Sequence, residues 1–175
     1  VLGQDLLLMS GGSTVPIAGV AAPSCAAWDG QTCATDNDYD TLTDLFSQRL
    51  STTGGTVCEV KAKLYKNSGN ADIHVEFWSG GDRTGTQYGG NSNTNTVSST
   101  DTANVETFTW TATKPTLPSG SCYMFFVGAT GTTTRFRCYT VAGGTGYSDT
   151  TYAMYSNGTL YGSGTYDFYF VLSKE

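Results

Sequence analysis

From about residue 45 onward, apolar and polar residues alternate with a period of two, the pattern of strands buried on one face. Across residues 57–65, Cys58, Val60, Ala62 and Leu64 fall on one side, and Glu59, Lys61 and Lys63 on the other. Residues 73–78 repeat the pattern, with Ile73, Val75 and Phe77 inward and His74, Glu76 and Trp78 outward. Asn67, Ser68, Gly69 and Asn70 supply turn chemistry between the two segments, which therefore read as a hairpin. Residues 105–111 form a further strand, and residues 122–129, apolar on both sides, read as a central one. Segments 134–141, 151–155 and 166–172 complete the set, the last with Tyr166, Phe168, Phe170 and Leu172 inward. Between them, residues 79–101 are dominated by Gly, Ser, Thr, Asn and Asp and read as a long surface loop or a carrier of one short strand.

The start of the chain breaks this rhythm. Residues 5–9 and 14–20 suit short strands joined at Gly11-Gly12, and residues 21–44 have no regular pattern. A short helix over 38–49 would gather Leu42, Leu45, Phe46 and Arg49 on one side. The chain thus divides into an extended N-terminal arm, 1–44, and an all-β domain, 45–175. The regular strand spacing and Gly-rich turns predict an antiparallel two-sheet sandwich of the jelly-roll kind.

Composition narrows the class. The 175 residues include 22 Gly, and only 14% are charged, well below the usual quarter, which argues against a helical bundle. Eleven Tyr, eight Phe and three Trp argue against disorder. The net charge of -6 and the absence of a basic cluster exclude nucleic acid and an anionic membrane as expected partners. No apolar run approaches membrane-spanning length. Leu6, Leu7, Leu8 and Met9 are too few for a signal core, so Val1 reads as following removal of either a signal peptide or an initiator Met.

The five cysteines, Cys25, Cys33, Cys58, Cys122 and Cys138, are odd in number, and no Cys-x-x-Cys occurs. Cys25 and Cys33 flank a short Gly-containing loop and suit a local bridge in an oxidising compartment; the alternative is buried thiols.

Several segments carry a resemblance. Phe46-Ser47-Gln48-Arg49-Leu50 precedes Gly54-Gly55-Thr56-Val57, and Val75-Glu76-Phe77-Trp78 runs into the Gly-rich stretch beginning Ser79-Gly80-Gly81. Leu117-Pro118-Ser119-Gly120-Ser121-Cys122-Tyr123 leads into the apolar strand, and Tyr166-Asp167-Phe168-Tyr169-Phe170 lies near the end. In these patches the chain resembles jelly-roll modules of the carbohydrate-binding kind, found on secreted proteins and on phage virion surfaces. The resemblance implies an extracellular or virion-surface location and a binding or structural role.

Candidate chemistry points the same way. Trp78, Tyr88, Tyr139 and Tyr147, with Arg135 and Arg137 alternating around Phe136, offer rings and donors for a glycan surface. Trp110 is a further ring with an expected outward place. Leu6, Leu7, Leu8, Val15 and Ile17 would anchor the arm on other protein chains of an assembly. Asp36, Asp38 and Asp40 space oxygens as calcium ligands do, but Thr41 stands where an EF-hand needs Gly; turn and cap roles explain them equally, and no cofactor is expected. His74 lacks a nucleophile elbow, and Glu59, Glu76 and Glu106 fall on outward positions suited to solvation and cross-strand pairing. Asn157-Gly158-Thr159 is a glycosylation sequon and a good turn. The expectation is a non-enzymatic display protein docked by its arm on a larger assembly, such as a phage capsid or tail, and contacting polysaccharide. The alternative is a free secreted carbohydrate-binding module.

Overall fold

The computed structural model describes residues 24–31, 45–65, 69–98, 105–128, 137–138, 140–141, 152–156, 159–164, 167–168 and 170–175. Its strands are β1 (Ala26–Gln31), β2 (Leu45–Tyr65), β3 (Asn70–Gly80), β4 (Thr84–Gln87), β5 (Asn95–Ser98), β6 (Val105–Thr109) and β7 (Thr116–Gly128). They continue as β8 (Arg137–Cys138), β9 (Thr140–Val141), β10 (Tyr152–Ser156), β11 (Thr159–Gly164), β12 (Asp167–Phe168) and β13 (Phe170–Lys174). Apart from a single 3-10 turn, Gly81–Arg83, there is no helix among the described residues. The strand pairs are antiparallel, and the main order is β1-β13-β2-β7-β3-β4.

β2 organises the sheet, because its two halves have different neighbours. Leu45 to Thr56 run against β7, from Val127 back to Thr116. Past Gly54 and Gly55, the strand runs instead between β13 and β6. Gly54 has φ +82° and lies against the β7 backbone, where an added Cβ would stand 3.2 Å from the Ser119 nitrogen. A side chain there would be strained twice, by the left-handed backbone and by contact. The strand can therefore change partners at this point without breaking.

The apolar face of β2 is continuous through the change. Phe46 and Leu50 on the first half, and Val60, Ala62 and Leu64 on the second, are fully buried. Phe126 of β7 meets Phe46 at 6.5 Å between ring centroids and Phe108 of β6 edge-on at 5.8 Å, so both halves share one core. Ile73, Val75 and Phe77 add the inward face of β3, as the alternation predicts. Each such ring or branched side chain contributes about 1.5–3 kcal/mol on burial. β7, apolar on both sides, is central as expected, lying between β2 and β3.

Several expectations change. Segments 57–65 and 73–78 do not pair with each other: β7 separates β2 from β3, because similar amphipathic strands carry no label for their partner. The helix over 38–49 is replaced, from Leu45 on, by β2, where Phe46 faces the core and Leu45 takes the other side. Cys25 is bonded not to Cys33 but to Cys58, 33 positions along the chain. Strands β1 and β2 both flank β13, and the bond ties β2 to the residue just before β1, so distant chain segments meet; Cys33 lies outside the described residues. Trp110 is buried, 5.9 Å from Phe77, and its Nε1 donates to the Gly90 carbonyl.

Residues 24–31, assigned to the arm by their irregular pattern, include β1 and the Cys25 bridge and so join the sheet. The polar stretch after β3 is also held closely. Backbone bonds run from Tyr88 N–H to the Phe77 carbonyl, from Gly90 N–H to Thr113, from Ser92 N–H to Val75 and from Asn93 N–H to Thr109. Buried Ser92 accepts from the Val75 N–H and donates to the Asn93 carbonyl. Here the polar residues replace missing ladder partners.

Candidate functional site

The second face of β3 carries the densest chemistry among the described residues. Pleating places His74, Glu76 and Trp78 together, opposite the core face. Glu76 is 2% exposed, against the expectation of a solvated carboxylate. Its Oε1 accepts from Arg83 Nη2 at 2.8 Å and lies 2.9 Å from His74 Nε2. Its Oε2 accepts from Arg83 Nε at 2.8 Å and from Trp78 Nε1 at 2.7 Å. The guanidinium grips both oxygens in a bidentate pair, which fixes orientation as well as charge.

Arg83 reaches back because the chain reverses immediately after β3. Asp82 (φ +58°) and Arg83 (φ +55°) are both left-handed, an uncommon state for residues with a Cβ. Thr84 Oγ1 donates to the Gly81 carbonyl and helps close the turn. The Arg83 guanidinium also stands 6.0 Å from the Trp78 ring centroid, within cation–π range. Burial alone would push the Glu76 carboxyl up. Hydrogen bonds from His74 and Trp78, with the charges of Arg83 and His74, outweigh it and hold its pKa below the ordinary carboxylate range.

Neighbouring strands extend this face in register. Tyr123 of β7 is opposite Trp78 on one side and Arg49 of β2 on the other, while Gln87 of β4 is opposite Trp78. All four side chains are half-buried. Arg49 Nη2 donates to Ser121 Oγ at 2.9 Å, and Gln87 Nε2 donates to Asn91 Oδ1 at 2.8 Å. One row away, Phe125 and Ser47 are buried beside Glu76.

The expected glycan residues are only partly gathered here. Trp78 is on this face, but Tyr88 packs against the core cluster. Tyr88 follows Gln87, the partner of Trp78, and so turns to the Phe77 side. Arg137 begins β8, with its backbone opposite Tyr65. Arg135, Tyr139 and Tyr147 lie outside the described residues, as do Leu6, Leu7, Leu8, Val15, Ile17, Asp36, Asp38 and Asp40. Among the described residues, no group of three or more His, Cys, Asp or Glu is placed to hold a metal ion.

Alternation along the chain does not single out Arg83, Arg49 and Tyr123. Gly80, the last residue of β3, leaves room for Thr84 to close against it, where an added Cβ would stand 2.6 Å from Thr84 Oγ1, but the reversal itself is made by Asp82 and Arg83, which no turn signal marks. Glu76 is fully engaged as an acceptor, which suits it to holding geometry rather than moving protons. Glu59 lies 2.9 Å from Lys61 Nζ, and Glu106 accepts from Asn95. No protein-family model, curated protein or solved structure matches the chain.

Proposed function

We propose that this chain is a non-enzymatic display domain, a two-sheet jelly roll docked on other protein chains of a larger assembly, such as a phage capsid or tail, through Leu6, Leu7, Leu8, Val15 and Ile17. Its outward side contacts polysaccharide around Trp78. The observation that carries this reading is the Trp78 ring, only partly buried and held in place by Glu76. A ring fixed before binding loses little entropy on contact, and the donors around it suit a polyhydroxylated partner. The structural engagement of Glu59, Glu76 and Glu106 supports a binding rather than a hydrolytic role.

Removal of residues 1–20 should abolish co-purification with the parent assembly while leaving the melting transition unchanged. Retained attachment would overturn the docking reading. The Cys25–Cys58 bond supports an oxidising location and thereby also favours the second reading, a free secreted carbohydrate-binding module. That reading predicts polysaccharide binding by the chain alone, with no assembly to join.

A further inference from the structure

The sugar-contact reading leaves open which side chains form the contact, and the cross-strand register narrows this. Arg49, Tyr123, Trp78 and Gln87 stand side by side on four successive strands, β2, β7, β3 and β4. Adjacent strands lie about 4.8 Å apart, so the row spans about 14 Å across the sheet. That length accommodates a short run of pyranose rings lying across the strands. The two aromatic residues occupy the middle of the row, and hydrogen-bonding side chains occupy its ends.

The row is bounded by small residues on one side. Ser51 and Ser121, paired across β2 and β7, are exposed next to Arg49 and Tyr123. Gly81 passes over the Tyr123 edge, where an added Cβ would stand 3.6 Å from the ring. The ledge beside Tyr123 is thus bordered by serine and glycine, with the Arg49 guanidinium reaching over to Ser121 Oγ as a donor for a ring-shaped ligand resting there. On the other side of the row, Glu76 fixes Trp78 through its Nε1. The charge of Arg83 is met by Glu76, and the chain as a whole is at -6, which disfavours a polyanionic glycan.

We propose that the row Arg49–Tyr123–Trp78–Gln87 is a subsite for a neutral polysaccharide chain lying across the strands, with Glu76 as the positioning residue for Trp78. The proposal rests on the sugar-contact reading and names its surface. Tyr123 and Arg49 become binding residues, while Tyr88, on the core side, is not one.

Affinity electrophoresis of the full chain tests it, in gels containing xyloglucan, galactomannan, mixed-linkage β-glucan or xylan. At least one gel should retard the native chain. Tyr123→Ala should weaken that retardation about ten-fold or more, the scale of one good ring contact together with its buried area. Ser121→Arg, at an exposed position that need not disturb the core, should block the ledge to a similar degree. Tyr88→Phe should leave retardation unchanged. Equal retardation of the native chain and the Ser121→Arg variant overturns the row while sparing the sugar-contact reading. No retardation of the native chain in any of the four gels overturns both.

Discussion

The two faces of β3 are built on the same backbone, and they solve burial in different ways. On one, Ile73, Val75 and Phe77 are buried among other apolar side chains. On the other, Glu76 is buried almost as completely, but its carboxylate is satisfied by three neighbouring side chains. The apolar face gains from leaving water and needs no particular geometry. The polar face is stable only while each partner is in place, since an unpaired buried charge is costly. Alternation therefore identifies the core side of a strand reliably, yet it does not show that the other side is open to water.

Either face can be disrupted by a single substitution. Phe77→Ala should have the largest effect, lowering unfolding free energy by about 3–5 kcal/mol in urea titration. Glu76→Ala should cost about 2 kcal/mol, less than a fully enclosed ion pair, because Arg83 is 39% exposed and partly screened. The contrast lies in the repair: Glu76→Gln keeps the shape but loses the bidentate grip, so it should recover only part of the loss. A loss equal to that of Phe77→Ala would show that the carboxylate cluster is as central as the core.

Acid sharpens the contrast. The folded Glu76 pKa lies below its unfolded value, so the stability it contributes is complete above the unfolded pKa. It is lost as pH falls through the lower, folded value. The stability gap between the native chain and Glu76→Gln should therefore shrink on acidification over that window, while the Phe77→Ala gap stays nearly constant. Ser92→Ala should remove about 1 kcal/mol by leaving the Val75 N–H without its side-chain acceptor. The smallest effect is expected at Asp82→Gly, within about 0.5 kcal/mol, because relief of the left-handed backbone is offset by added unfolded-state freedom.

How much was legible in the sequence depends on the range of the interaction. The buried faces at Val60, Ala62 and Leu64, and at Phe170 and Leu172, follow from local alternation. The place of β7 between β2 and β3 does not, because strand partners are chosen across the whole chain. β1 was hidden for a related reason. Ala26, Ala27, Trp28, Asp29, Gly30 and Gln31 have no alternating pattern, and their strand state comes from pairing with β13. At the candidate site, Trp78 was legible as an outward ring. The burial of Glu76 was not, since it requires a left-handed turn to return Arg83 from seven positions away.

The Cys25–Cys58 bond also defines a route for mechanical tension. A pull applied at Cys25 passes directly through the sulfurs into β2. The hydrogen bonds between β1 and β13 are then bypassed rather than peeled apart one by one. The intervening 25–58 segment cannot be drawn out as slack while the bond is intact. Load falls on the strand with neighbours on both sides through much of its length, so a pull at Cys25 is met by covalent connection first and by the sheet's interior second.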